Sequence, residues 1–362
     1  MNKDAKIVLL AVFMIIMIGI VMIYSASAVH AYAKYNDSMY FVKRHLLYLA
    51  LGLIAAVLCM AAPAGRIAGS ARSLMFFFII LLAAVLVPGI GKAAGGARRW
   101  MRFSGFGIQP SEMAKLALIV YLADWTSRKR HVIQNLRYGF LPPLFIIGLA
   151  GGLVLMEPDM GAFVSILFIG FVMLFVAGTR LRHLAFVTTG MLPVLALAVI
   201  CEPYRIRRVL TFFNPWQDAR GAGFQLIQSF IALGSGGFFG VGLGESKQKL
   251  FYLPESHTDF IFSIIGEELG FLGAASVLIL FAVMIWFSLK ISLKLRDRFA
   301  SRVVLGISAM IAFDVIVNIG VSVGMLPTKG LPLSFISYGG SSLVCHLAAM
   351  GLLFNMARGV EQ

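Results

Sequence analysis

The chain has 362 residues, 60% of them hydrophobic and only 13% charged, with a formal net charge of +15 and a mean hydropathy of +0.90. That composition excludes a water-soluble domain of this size and requires lipid as solvent. Cys59, Cys201 and Cys345 lie singly in or beside apolar runs, and the six histidines contain no His-Glu-x-x-His pattern, so neither a disulfide framework nor a metal site is expected.

A bilayer core about 30 Å thick takes roughly 20 mostly apolar residues per helix. Runs of that kind recur at about 7–28, 46–64, 73–90, 111–125, 139–156, 160–178, 184–201, 259–288, 303–324 and 340–357. They predict an all-α polytopic membrane protein of about ten transmembrane helices, one domain over residues 1–362. The first run follows Lys3 and Lys6 and ends in Ser25-Ala26-Ser27-Ala28; its spanning length marks a retained helix rather than a cleaved signal. Ten spans place both termini on one side, together with Arg128-Lys129-Arg130 and the group Lys290, Lys294, Arg296, Arg298 and Arg302. Short loops dense in Lys and Arg make that side cytoplasmic.

The longest connection, about 202–258, then lies outside and is expected to be partly structured. It carries Arg205, Arg207, Arg208, Arg220, Lys247 and Lys249, while another outer loop holds Lys92, Arg98, Arg99 and Arg102. These cations fit either lipid headgroups or an anionic, phosphate-bearing substrate. Gly234, Gly236, Gly237, Gly240, Gly242 and Gly244 suit close backbone packing, a re-entrant turn or a phosphate-approaching loop. No Walker-type sequence occurs, and no nucleic-acid partner is expected.

An ionised side chain at mid-bilayer costs about 2.5 to 3.5 kcal/mol, so the few inside the runs carry information. They are Glu112, Lys115, Asp124, Asp259, Glu267, Glu268 and Asp314. Glu112 and Lys115 are three apart and share a helix face, as a structural pair or a functional one. Asp259 stands at the head of the eighth run, where a carboxylate serves equally as a helix cap or as a general base on a substrate at the outer surface. Glu267, Glu268 and Asp314 read as buried structural partners.

The same residues carry a family resemblance. Ile108-Gln109-Pro110-Ser111-Glu112 with Lys115, Asn214-Pro215-Trp216-Gln217-Asp218 and Gly223-Phe224-Gln225-Leu226-Ile227-Gln228-Ser229 are followed by Tyr252-Leu253-Pro254-Glu255-Ser256-His257-Thr258-Asp259-Phe260. Glu267-Glu268-Leu269-Gly270 and Ser337-Tyr338-Gly339-Gly340-Ser341-Ser342 complete the set. In this order, across essentially the whole chain, they resemble the SEDS family of peptidoglycan glycosyltransferases. His257-Thr258-Asp259 and Pro327-Thr328-Lys329-Gly330 look most like its FtsW cell-division branch. One departure is Glu157-Pro158-Asp159, where the family pattern has Gln-Pro-Asp.

The resemblance implies an enzyme that polymerises lipid II, an undecaprenyl-pyrophosphate-linked disaccharide peptide, at the outer face of the bacterial cytoplasmic membrane during septal wall synthesis. Asp259 matches the family's essential aspartate, the expected general base. Glu112, Lys115, Lys329, Ser256, His257, Gln225 and Ser341 match motif positions and are expected to bind substrate. Arg98, Arg99, Arg205 and Arg208 join them on charge. The expected partners are a class B penicillin-binding protein, other division proteins and membrane lipid, with Mg²⁺ or Mn²⁺ as a plausible aid to a pyrophosphate leaving group. A lipid II flippase and a non-catalytic division scaffold are the alternatives.

Overall fold

The computed structural model describes residues 2–360 apart from 95, 96, 104, 105, 202, 222 and 329. Each of the ten apolar runs corresponds to a helix, with differences of a few residues at the ends: α1 (Lys3–Tyr35), α2 (Tyr40–Ala61), α3 (Ala64–Leu86), α4 (Pro110–Arg128), α5 (Leu141–Met156), α6 (Met160–Val176), α7 (Leu181–Ile200), α10 (Ile261–Lys294), α11 (Arg298–Ser322) and α12 (Gly340–Ala357). Seven helical stretches among the described residues are long and apolar enough to cross a membrane: 3–35, 40–61, 64–86, 136–156, 261–294, 298–322 and 340–360. α4, with its four charged side chains, the 17-residue α6 and α7 are the three of the ten outside that set.

The long connection is partly helical, holding α8 (Pro203–Phe213) and α9 (Phe224–Ser235). A small antiparallel sheet that the sequence reading missed fills 91–108: β1 (Gly91–Ala94), β2 (Ala97–Phe103) and β3 (Phe106–Ile108), in that order, with Gly91 opposite Met101 and Met101 opposite Ile108. The sequence carries a signal for it in the Gly-Gly and Ser-Gly pairs at 95–96 and 104–105, a composition that punctuates short strand-like runs. Runs this short give no periodicity to read.

Large apolar side chains such as Leu58, Phe145 and Phe186 point outward, the arrangement a lipid solvent stabilises. α11 and α12 are mostly buried, and α4 packs among α3, α6 and α11. α2 lies close along α12; a Cβ on Gly351 would come within 2.2 Å of the Ala56 carbonyl oxygen, the small-residue contact by which helices approach in lipid.

The bundle has two polar ends. At one, Asp4 of α1 pairs with Lys290 and Lys294 of α10, and Asn355 of α12 donates to the carbonyls of Cys59 and Ala62. At the other, the sheet, the α5–α6 corner, the 202–260 segment and the 323–339 connection come together through Arg99–Asp159, Gln109–Ser341, Arg208–Thr328 and Ser337–Thr258 contacts.

α10 is broken at Gly270, whose φ of 68° and ψ of −167° no helix contains. The amides of Val241 and Gly242 donate to the carbonyls of Glu267 and Glu268, and those of Phe271 and Leu272 donate to Gly237 and Phe238. The glycine-rich stretch therefore satisfies the polar groups of the break, settling its role as close backbone packing. The part after the break, 24 residues or about 36 Å, crosses a bilayer alone. Glu267 accepts from Ser246 and from the Lys247 amide, and Glu268 pairs with Lys249 at 2.8 Å and accepts from Ser25. Both are the structural partners expected of them, and Lys249 is committed to the fold.

Candidate active site

The segment 251–260 approaches α10 as an irregular path with Phe251 and Glu255 in the left-handed region, at φ 67° and 56°. It is held at several points. The Ser337 hydroxyl donates to the Thr258 carbonyl at 2.5 Å, the Tyr338 amide donates to the His257 carbonyl at 2.9 Å, and the Asn318 side chain donates to the carbonyls of Asp259 and Leu331 at 2.9 and 2.8 Å. Asn318, on α11, thus fixes both strands of chain that flank Asp259. Sequence reasoning passed over it, although an amide within an apolar run was the available signal.

The capping explanation of Asp259 fails in the structure. The residue at the cap of α10 is Phe260, without a side-chain cap. The half-buried Asp259 carboxylate accepts no hydrogen bond from any described residue and faces Gly330, where an added Cβ would meet Oδ2 at 3.1 Å. Burial, reinforced by the Glu255 carboxylate, pushes its pKa up to about 7; the Arg99 and Arg208 guanidiniums pull the other way. An unbonded carboxylate that titrates near neutrality, with two cations in reach, is suited to accept a proton.

Arg99 reaches this place from β2, pairing with Asp159 at 3.4 Å. Asp159 also accepts from the Gln109 side chain at 3.0 Å and from the Ala162 amide at the head of α6. One buried carboxylate thereby ties the sheet, the start of α4 and the start of α6. Arg208, on α8, donates to the Thr328 carbonyl at 2.8 Å, drawing the 323–339 connection over Asp259. Arg98, next along the strand from Arg99, is exposed. Arg205 lies in the first turn of α8, its side chain outside the described set, and Lys329 lies outside the described residues.

The other motif residues are placed inside the scaffold. Ser256 donates to the Ala26 carbonyl. His257 is buried among rings, 4.5 Å from Phe41 and 5.9 Å from both His30 and Tyr338 by centroids, and burial lowers its pKa to about 4. Ser341 bridges the Gln109 amide and the Gly107 carbonyl at 3.0 Å each. Gln225 is half-buried in the first turn of α9.

Lys115 is 1% exposed and pairs with Glu112 at 2.9 Å and with Asp314 at 3.8 Å; Asp314 in turn meets His346 at 3.0 Å. These four groups form a charged knot joining α4, α11 and α12 inside the bundle. Among the described residues, no three His, Cys, Asp or Glu side chains converge as a metal set.

Residues 5–362 match the model of the FtsW/RodA/SpoVE family, described as cell cycle protein. The chain is 44% identical over 345 residues to stage V sporulation protein E of Bacillus subtilis (strain 168), covering 95% of this chain and 94% of the relative. It is also 44% identical over 355 residues to the probable peptidoglycan glycosyltransferase FtsW of Trichlorobacter lovleyi, covering 98% and 93%. Identity alone does not separate the sporulation and division branches. Among solved structures, it superposes on a chain from "Structural coordination of polymerization and crosslinking by a peptidoglycan synthase complex" with TM-score 0.80, 31% identity and 98% coverage of each. The rod shape determining protein RodA of Thermus thermophilus gives TM-score 0.72 and 30% identity, with 98% of this chain and 97% of that one covered. With the helix bundle and its outward apolar faces, these similarities make the chain a multi-pass membrane protein of the FtsW/RodA/SpoVE family.

Proposed function

We propose that the protein is a peptidoglycan glycosyltransferase that polymerises lipid II at the outer membrane face, in cell division, with Asp259 as general base. The observation that carries this reading is the Asp259 carboxylate: unbonded among the described residues, half-buried, titrating near neutrality and within electrostatic reach of Arg99 and Arg208. The relatives named as probable peptidoglycan glycosyltransferases supply the reaction class.

Asp259 takes the proton of the acceptor sugar's 4-hydroxyl as that oxygen bonds to the donor's anomeric carbon. The bond from that carbon to the pyrophosphate oxygen breaks, its electron pair leaves with undecaprenyl pyrophosphate, and the anomeric centre inverts. Arg99 and Arg208 stabilise the charge that develops on the leaving group, a preorganised electrostatic contribution of the kind that is usually largest in such sites. The polar end holding Asp259 faces outward and the end holding both termini faces the cytoplasm, at the septum. A class B penicillin-binding protein that crosslinks the product is the partner in this reading.

The test is polymerisation of purified lipid II by the protein reconstituted with that partner, comparing the native chain with Asp259→Asn at matched folding and complex formation. Polymer from the native complex and a loss of at least a hundredfold in the variant support the assignment. Equal polymer from both removes Asp259 from the chemistry. No polymer from either, with lipid II still crossing the bilayer, transfers the site to the flippase reading.

A further inference from the structure

At the polar end that carries both termini, the α4–α5 and α6–α7 connections border an open surface cavity of about 660 Å³ whose lining includes Arg137, Arg180, Arg182, His131, His183 and Gln134. No carboxylate lines it, and among the described residues none of the three guanidiniums makes an ion pair. Three other cations at this end have carboxylate partners, Lys290 and Lys294 in Asp4 and Arg128 in Asp124. The cavity is thus a concentrated positive charge that the protein leaves uncompensated.

Two further features point to a bound anion. α7, 20 residues long, starts here with Arg182 and His183 in its first turn and no acidic residue, the reverse of what the positive end of a helix dipole favours. The Nδ1 atom of His183, which lines the cavity, is buried without a hydrogen-bond partner. An anion in the cavity relieves the dipole, the three arginines and the orphaned imidazole together.

The surroundings choose the class of anion. Leu136, Tyr138, Leu181 and Phe186 are 47, 64, 67 and 78% exposed along the same elements, giving the cationic cavity an apolar border at one end of a lipid-facing bundle. A free phosphate has no use for that border; acyl chains have. We propose that this cavity is a binding site for the phosphate-bearing headgroup of an anionic glycerophospholipid, drawn from the leaflet on the side of the termini.

The experiment uses the full chain in nanodiscs of phosphatidylcholine with a minor fraction of dioleoylphosphatidylglycerol, with retained lipid counted by native mass spectrometry. The native protein should retain phosphatidylglycerol. The triple variant Arg137→Gln/Arg180→Gln/Arg182→Gln should retain at least fivefold less, while Arg66→Gln/Lys129→Gln/Arg296→Gln, with the same loss of charge at the same end, should match the native protein. Equal loss in both variants would mean general surface attraction and overturns a defined site. Displacement of the lipid by millimolar inorganic phosphate assigns the cavity to small anions, and retention of undecaprenyl pyrophosphate in preference to phosphatidylglycerol assigns it to a polyprenyl ligand; either overturns the proposal. If the triple variant misfolds, His183→Gln alone should lower retention about twofold or more, and no change overturns it.

Discussion

At the scale of single residues, two carboxylates at the end of the bundle that holds Asp259 are held far from their usual range by burial, and each has a measurable consequence. Asp259 must be ionised to accept a proton, so with a pKa of about 7 its activity is lost as pH falls through neutrality. The kcat/KM for polymerisation should drop about tenfold per pH unit below that point. Because the Arg208 guanidinium holds the Asp259 pKa down, Arg208→Gln should move this limb to higher pH, and an unmoved limb would disconnect the two residues. Glu157 stands where the family pattern has Gln; its carboxylate is buried with neither oxygen bonded, and burial together with Asp159 pushes its pKa up to about 8. A carboxyl raised in the folded state stabilises it fully below the unfolded pKa, and that stability is lost as pH rises through the folded pKa. Glu157→Gln should therefore raise the melting temperature at pH 8 to 9, by an amount corresponding to about 1 to 3 kcal/mol, and change little near pH 4. A thermal scan across pH reads both limits.

At the scale of elements, the break in α10 explains why so many glycines crowd 234–244 and why one more stands at 270. An added Cβ at Gly270 would lie 2.2 Å from the Gly240 nitrogen, and its φ of 68° is itself unfavourable for other residues. Gly270→Ala should destabilise the folded protein by about 2 to 4 kcal/mol, read as a lower melting temperature in detergent. Gly148→Ala, in α5 with open space around the new Cβ, is the control and should be neutral or slightly stabilising. Equal effects from both would show that the 237–242 stretch does not pack against the break as described. The same stretch anchors Lys249 to Glu268 and Ser25, so the break also locks the 236–258 segment to α1 and α10 beside the path that leads to Asp259.

At the scale of the whole molecule, the charged knot of Lys115, Glu112, Asp314 and His346, all buried, joins three helices. Lys115→Met leaves two buried carboxylates facing each other and should cost about 3 to 5 kcal/mol, whereas Lys115→Met combined with Glu112→Gln should recover part of that loss. Thermal unfolding of the purified variants measures both, and an additive double variant would mean the pair does not interact. The sequence by itself determined the apolar runs, the all-helical membrane class and the family motifs, because burial in lipid imposes run length and composition locally and the motif residues are contiguous. It also singled out Asp259 and the Glu112–Lys115 pair, whose spacing on a helix is a local property. Only the tertiary structure decided that Phe260 rather than Asp259 occupies the helix cap, that Asp159 and Asn318 tie the site together, and that His257, Ser256 and Ser341 turn into the scaffold. Those outcomes depend on contacts between residues tens to hundreds of positions apart, set by how the helices pack, and no local pattern encodes them.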